Sequence, residues 1–290
     1  MKLADVEYVR ADTVEHALAL IAAQDAETRV LAGGQSLMPL LAMRLAAPAR
    51  LVDINRLAEL ERLEVVDGRL VIGALVRHHR IATDPLVARV APLLARAAPH
   101  VAHPAIRNRG TFGGSLAHAD PASEFPACTL ALNAEMTLAS MSGRRTVRAD
   151  AFFEGLYQTA ARPDELLLEV SVPVATEASR FAFVEFSRRN GDYALAGIAA
   201  AATADGDRLT GVRLALFGIG DTPVLASEAA AILESGPVTD ALVKQAVATL
   251  DGIEVRDSAT AGERYRRHLA RVALKRAALA LARPEAASCR

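Results

Sequence analysis

The sequence predicts an α+β protein in two parts, and three observations carry that prediction. Over the first 170 or so residues, short apolar segments of strand character are interleaved with helical ones, without the long regular alternation of a doubly wound sheet. Residues 174–180, VATEASR, are small and polar and read as a linker. Beyond them three extended segments come first and three helical segments follow, the order of an antiparallel sheet covered on one face by helices.

Each element has its own signal. Residues 6–10 read as a strand, and Thr13 caps a helix to Gln24 in which Ala17, Leu18, Ile21 and Ala22 recur at helical spacing. Strands at 29–32 and 51–54 flank a helical segment that opens with a glycine turn. Asp67-Gly68 between two extended apolar runs at 63–75 signals a hairpin. Residues 77–98 look helical, interrupted near Asp84-Pro85. A loop exposing Ser115, His118 and Asp120 then leads into a helix over 125–132. Strands follow at 135–139, 146–148 and 165–172, the last stopping before Pro173. In the second part the strands are 181–188, 193–203 and 209–219, with Asp205-Gly206 turning the second into the third. The helices are 226–234, 239–250 and 263–281. Arg264, Arg266, Arg267, Arg271 and Arg276 read as a solvated face of the last helix.

Composition narrows the function. A chain of 290 residues buries roughly three quarters of its unfolded surface and needs no covalent staple. With 33 basic and 34 acidic residues interspersed to a net charge of −1, there is no patch for nucleic acid or anionic lipid. Small molecules and proteins are the expected partners. The N-terminus has charges throughout and no apolar h-region, and the uncharged run 193–204 is too short for a bilayer, so a cytoplasmic protein is expected. The only cysteines are Cys128, in an apolar helical pattern, and Cys289, near the end. Two cysteines without metal-ligand spacing cannot supply the four thiolates of an iron-sulfur cluster.

Two glycine turns carry the chemistry. Ala32-Gly33-Gly34-Gln35-Ser36-Leu37 leads into one helical segment, and IRNRGTFGGSLAHADPASEFP, residues 106–126, into another. Glycine permits positive φ and close backbone approach, so successive amides can point at one anion, reinforced by the positive end of a helix dipole. Taken singly, such a turn is as often a plain connector. Two in one domain suit a ligand with two linked phosphates, as a dinucleotide carries. Neither GxGxxG nor GxxxxGK[ST] occurs in a usable context, which disfavours Rossmann and P-loop folds. His100 and His103 flank a proline-containing loop without a third ligand nearby, and they read, like His78-His79, as surface or loop-packing histidines rather than metal ligands. No Ser-His-Asp order, HExxH or carboxylate pair stands out, so any chemistry belongs to a cofactor.

AGGQSLMPLL at 32–41, the 106–126 stretch, and RRNGDYALAGIAA at 188–200 together resemble the FAD-binding medium subunit of molybdenum hydroxylases. That family includes the flavoprotein subunits of carbon monoxide dehydrogenase, of nicotine and caffeine dehydrogenases, and the FAD module of xanthine dehydrogenase. The likeness covers essentially the whole chain in motif order. It implies a two-lobed FAD-binding domain of the vanillyl-alcohol-oxidase (PCMH) type over 1–175, with lobes about 1–57 and 58–175, and a C-terminal domain over 178–290. It further implies partners: a small subunit with [2Fe-2S] clusters and a large subunit with a molybdopterin cofactor, as a dimer of heterotrimers that passes electrons to an external acceptor.

Carried over residue by residue, the resemblance assigns Ala32, Gly33, Gly34, Gln35, Ser36 and Leu37 to one side of the FAD diphosphate. Thr111, Gly114, Ser115, His118 and Asp120 take the other side and the sugar hydroxyls. Ile106 and Asn108 fall near the isoalloxazine, Leu166 near the adenine, and Tyr193 over the flavin ring. Where many relatives have aspartate and lysine, this chain has Glu124, which keeps a carboxylate for a ribose hydroxyl, and Ser187, which removes a cation that Arg188 could replace. Without the flanking motifs, His118 and Asp120 read as capping residues and Tyr193 as a core aromatic. Two other functions stay open at this point: a stand-alone FAD-dependent oxidoreductase with its own substrate, and a nucleotide-binding scaffold without redox role.

Overall fold

The structure, a computed structural model, describes residues 4–23 and 25–283; Gln24, the expected end of the first helix, and Cys289 lie outside the described residues. The chain opens with β1 (Glu7–Arg10), α1 (Val14–Ala22), β2 (Thr28–Leu31), α2 (Leu37–Ala42) and β3 (Arg50–Asp53). The strands lie parallel in the order β1-β3-β2. Thr13 caps α1, its Oγ1 accepting the His16 N–H at 3.1 Å. The helix then buries Val14, Ala17, Leu18 and Ile21 against Val52 and Ile54, the spacing its sequence dictates.

The second lobe starts with the hairpin of β4 (Leu63–Val66) and β5 (Arg69–Gly73). Asp67 and Gly68 both take positive φ, 50° and 74°, as a two-residue turn of this kind demands. The helical stretch after it breaks twice, into α3 (His78–Thr83), α4 (Pro85–Val90) and α5 (Pro92–Ala97), because Pro85 and Pro92 each start a new helix. Next come α6 (Pro104–Arg107), α7 (Phe112–His118), α8 (Glu124–Ala131), β6 (Glu135–Ser140), β7 (Gly143–Arg148), β8 (Phe153–Gly155), β9 (Gln158–Thr159) and β10 (Leu166–Pro173). Five of these strands form an antiparallel sheet in the order β4-β5-β10-β6-β7. The last runs one residue further than expected, since Pro173 opposite Arg69 sits at the end of the ladder, where a missing N–H costs least. The short β8–β9 hairpin carries no alternation that a sequence could show.

The remaining strands, β11 (Ser179–Ser187), β12 (Ala194–Asp205), β13 (Arg208–Phe217) and β14 (Val224–Leu225), make an antiparallel sheet in chain order. One face is covered by α9 (Ser227–Glu234), α10 (Asp240–Ala248) and α11 (Glu263–Leu281), with Leu214, Leu216, Leu269 and Leu274 buried between them. The expectation that only this face is covered is corrected: Ala199, Ala215 and Phe217 on the other face join the core of α5 and α8. The run Ala196, Ile198, Ala199, Ala200, buried without alternation, is the signature of a strand covered on both sides. Polar ties cross the same seam. Arg213 donates twice to the Leu130 carbonyl at 3.0 and 2.9 Å, and the Gly218 N–H donates to the Pro121 carbonyl at 2.8 Å.

Two of the five arginines of α11 also depart from expectation, while Arg264 and Arg276 are exposed. Arg266 is only 7 % exposed and donates to the carbonyls of Leu195, Arg256 and Gly218. Arg267 donates to those of Leu250 and Ile253, both at 2.8 Å. The planar fork of five donors suits carbonyls left over at strand and helix ends, so these side chains fasten the helix down instead of facing water. No helix among the described residues is long and apolar enough to cross a membrane.

Candidate functional site

The first glycine turn joins β2 to α2. Gly34 takes φ +69°, a conformation that L side chains rarely adopt, and this turns successive amides to one side. Among the described residues no acceptor meets the amides of Gly33, Gly34, Gln35, Ser36 and Leu37. Their carbonyls are held on the other side. Asn55 Nδ2 donates to the Ala32 carbonyl at 2.6 Å, and Gln35 Nε2 to the Gly33 carbonyl at 2.8 Å. Because a trans peptide points its C=O and N–H in opposite directions, fixing those two carbonyls aims the Gly33 and Gly34 N–H groups outward.

The second turn departs from the expected exposed loop. Thr111 caps α7, its Oγ1 accepting the Gly114 N–H at 3.2 Å, so Gly113, Gly114, Ser115 and His118 are all helical. Gly113 is required for packing: a Cβ there would come within 2.6 Å of Ala74 Cα. Most amides of this turn already have partners, Phe112 on the Val76 carbonyl at 2.8 Å and Gly113 on the Ala74 carbonyl at 3.0 Å. The Thr111 amide alone between 109 and 115 has no acceptor among the described residues. Its peptide is set by the His78 N–H on the Gly110 carbonyl at 3.0 Å. The site is therefore asymmetric: one row of open amides, faced by a helix N-terminus whose first turn carries the half-buried Ser115.

The two turns touch. A Cβ on Gly33 would lie 2.8 Å from Gly110 Cα and nearer still to the Arg109 carbonyl oxygen, and one on Gly114 would lie 3.8 Å from Ala32 Cβ. Under them sits His78, 6 % exposed, its Nε2 bonded to the Thr111 carbonyl at 2.8 Å and its ring edge-on to Phe125. Burial pushes its pKa down to about 4, with the nearby Arg107 and Arg77 charges adding to the effect, so the ring is neutral and Nε2 is the donor. It is a loop-packing histidine, as its surroundings in sequence indicated.

At the far end of α7, about 10 Å along its axis, lies an acidic group. Asp120 is 7 % exposed rather than solvated; it accepts the Ala122 N–H at 2.9 Å and the Tyr157 hydroxyl at 3.4 Å. The His118 ring lies tilted against that of Tyr157, with centroids 5.0 Å apart. Burial, and then the charge of Asp120, pushes Glu124 up to about 7. Burial, and then Glu124, pushes Glu185 up to about 8. Tyr193, just before β12, is 67 % exposed. Ile106 is half-buried and Asn108 exposed on the turn beside Gly110. Leu166 is 5 % exposed, paired with Ala139 and packed in the core of the first lobe. The Ser187 hydroxyl donates to the Arg189 carbonyl at 2.8 Å.

Most of the predicted residues thus form two groups joined by α7, the turns at one end and His118, Asp120 and Glu124 at the other, while Leu166 lies apart in the core of the first lobe. An elongated ligand with its anionic part at the turns matches that spacing. Asn55, Arg77, Tyr157 and Glu185 were missed. The first two stand directly after apolar strand segments, where side chains at the carboxyl ends of strands reach ligand sites, and that position was the available signal.

Comparison with known proteins gives the lineage. A profile described as the FAD binding domain in molybdopterin dehydrogenase matches residues 4–175, and one described as the CO dehydrogenase flavoprotein C-terminal domain matches 181–281. The 6-hydroxypseudooxynicotine dehydrogenase complex subunit alpha of Paenarthrobacter nicotinovorans is 40% identical over 289 residues, covering 98% of both chains. The nicotine 6-hydroxylase medium subunit of the same organism is 42% identical over 218 residues, 75% of this chain and 76% of that one. Among solved structures, the carbon monoxide dehydrogenase of Hydrogenophaga pseudoflava lacking the Mo-pyranopterin moiety superposes with a TM-score of 0.94 at 34% identity, over 97% of this chain and 98% of that chain. By profile, by identity along its whole length and by fold, this chain belongs to the FAD-binding medium subunits of the molybdenum hydroxylases.

Proposed function

We propose that this chain carries electrons within a molybdenum hydroxylase complex, from the [2Fe-2S] clusters of a small subunit to an external acceptor. The substrate would be oxidised at the molybdopterin cofactor of a large subunit. In this reading the complex is a dimer of heterotrimers in the cytoplasm. FAD, when bound, supplies the exchange between one-electron carriers and a two-electron acceptor.

One observation carries the reading: the contact of Gly33 with Arg109 and Gly110, which sets five open amides opposite the N-terminus of α7. The donor set fits FAD. Open amides and the helix N-terminus suit the two phosphates, and Ser115, His118, Asp120 and Glu124 suit the hydroxyls of the sugar portions. Gly33, Gly34, Gln35, Ser36 and Leu37 hold the diphosphate from one side, with Ala32 lining the turn. Thr111 and Gly114 hold it from the other. Ile106 and Asn108 border the ring, Leu166 backs the adenine, and Tyr193 covers the flavin. The cysteine usage supports clusters on a partner, since Cys128 is fully buried in the core of the second lobe and two cysteines fall short of the four thiolates a cluster usually takes.

Purification by a tag on this chain tests the proposal. The expected result is co-purification of a cysteine-rich subunit and a molybdenum-bearing subunit, with one FAD per tagged chain. A yellow chain that purifies alone, and whose flavin is bleached anaerobically by an organic substrate without partners, would overturn it.

A further inference from the structure

Behind the two turns lies a pair of residues that the binding assignment leaves out. Arg77 Nη1 donates to the Arg109 carbonyl at 2.5 Å, and Nη2 to Asn55 Oδ1 at 3.0 Å. Asn55 Nδ2 donates in turn to the Ala32 carbonyl at 2.6 Å, and the Asn55 N–H and side chain both bond Asp53 Oδ1, at 2.8 and 2.7 Å. One guanidinium and one amide thus grip the last carbonyl before each turn's key glycine, Gly33 in the first and Gly110 in the second.

The charge is as informative as the geometry. Arg77 is half-buried, and burial lowers its pKa, yet among the described residues no carboxylate lies within ion-pair distance of it. Glu61 and Asp53 act on it only from beyond ion-pair distance, and Arg109 adds a second positive charge nearby. A half-buried cation is retained against its desolvation cost when an anion completes it.

We infer that Arg77 and Asn55 form a brace that holds the two turns at diphosphate spacing, and that the Arg77 charge, acting through the turn carbonyls, makes this site choose flavins by their phosphates. The inference rests on the FAD reading. Arg77 is a positioning residue: its donors face the protein, and the turn amides face the ligand.

The test uses the assembled complex stripped of FAD. Riboflavin, FMN and FAD, carrying none, one and two phosphates, are titrated into wild type, R77M and R77K at low and high salt, following flavin fluorescence. R77M is expected to weaken FAD by about ten- to a hundredfold, the range for a lost charge-assisted contact, and FMN by less. Riboflavin should stay within about twofold, and the salt dependence of FAD binding should flatten. R77K, which keeps the charge but not the fork, should retain the salt dependence while losing part of the affinity. Equal loss for all three flavins marks a mere strut and overturns the inference, as does no loss for any. Should R77M fail to assemble, R77K decides: losses graded by phosphate number support the brace, and equal losses overturn it. Failure of the wild-type complex to take up any flavin would instead bring down the FAD reading itself.

Discussion

Substituting Gly33 by alanine puts the central contact to the test. The added Cβ would lie 2.8 Å from Gly110 Cα. Carbons rest at about 3.5 Å, so the turns must part by at least about 0.7 Å, and the still closer approach to the Arg109 carbonyl oxygen demands more. The 109–110 backbone cannot simply retreat, since Arg77 holds the Arg109 carbonyl and the Gly110 N–H is bonded to the Ile106 carbonyl at 2.7 Å. Overpacking of this kind costs about 1–3 kcal/mol of stability. Displacing even one amide from an anionic ligand costs about 1.5–3 kcal/mol of affinity, or about ten- to a hundredfold in Kd. Gly34→Ala is the control. It pays the strain of φ +69°, about 1 kcal/mol, but its Cβ meets the side chains of Met38 and Leu31 at 3.1 and 3.2 Å, which can swing aside. Urea unfolding of the FAD-free chain and FAD titration of the stripped complex give the two numbers. Folded G33A that binds FAD with wild-type affinity would refute the convergence of the two turns on one ligand.

What the sequence disclosed follows from how local each signal is. The Asp67-Gly68 hairpin, the Thr13 cap and the three terminal helices are written in a few adjacent residues, and they stand where periodicity put them. The two turns were equally visible, because glycine clusters before helices are local; their contact through Gly33 was not, since it joins residues about eighty positions apart. Local reading also hid α7, whose glycines are poor helix formers on their own. There the Thr111 cap and the packing of Gly113 on Ala74 override propensity. The same limit explains Arg266: a cation at helical spacing looks solvated until the strand ends that need donors, at Leu195 and Gly218, are brought beneath it. Asn55 and Arg77 are the extreme case, since their role is to join the two turns and neither sits in a glycine motif.

Other perturbations have calculable signs. Arg266→Met strips three carbonyls of their donor and should cost about 3 kcal/mol or more, read as a drop in urea midpoint; a loss under about 1 kcal/mol contradicts the clamp. Thr111→Val removes the α7 cap at a cost of about 1 kcal/mol, and Thr111→Ser should recover most of it. The pH dependence combines two opposed groups. His78 has a folded pKa of about 4 against an ordinary 6.5, so its contribution is complete above 6.5 and is lost as pH falls toward 4. Glu185 has a folded pKa of about 8 against 4.5, so the folded state holds the proton more tightly, and stability drains away as pH rises from 4.5 to 8. Glu124 acts in the same direction but only up to about 7. Between 4.5 and 6.5 the slopes of His78 and Glu185 offset one another, whereas between 7 and 8 Glu185 stands alone. In that upper window the FAD-free protein should lose stability at up to about 1.4 kcal/mol per pH unit, and Glu185→Gln should abolish the slope. His78→Gln should weaken the loss of stability on acidification, with His118 and His100, whose pKa values burial also lowers, still opposing the carboxyl groups there. An upper-window slope that survives in E185Q would mean that the Glu185 carboxylate, 3.7 Å from His100 Nδ1, is already charged in the folded protein.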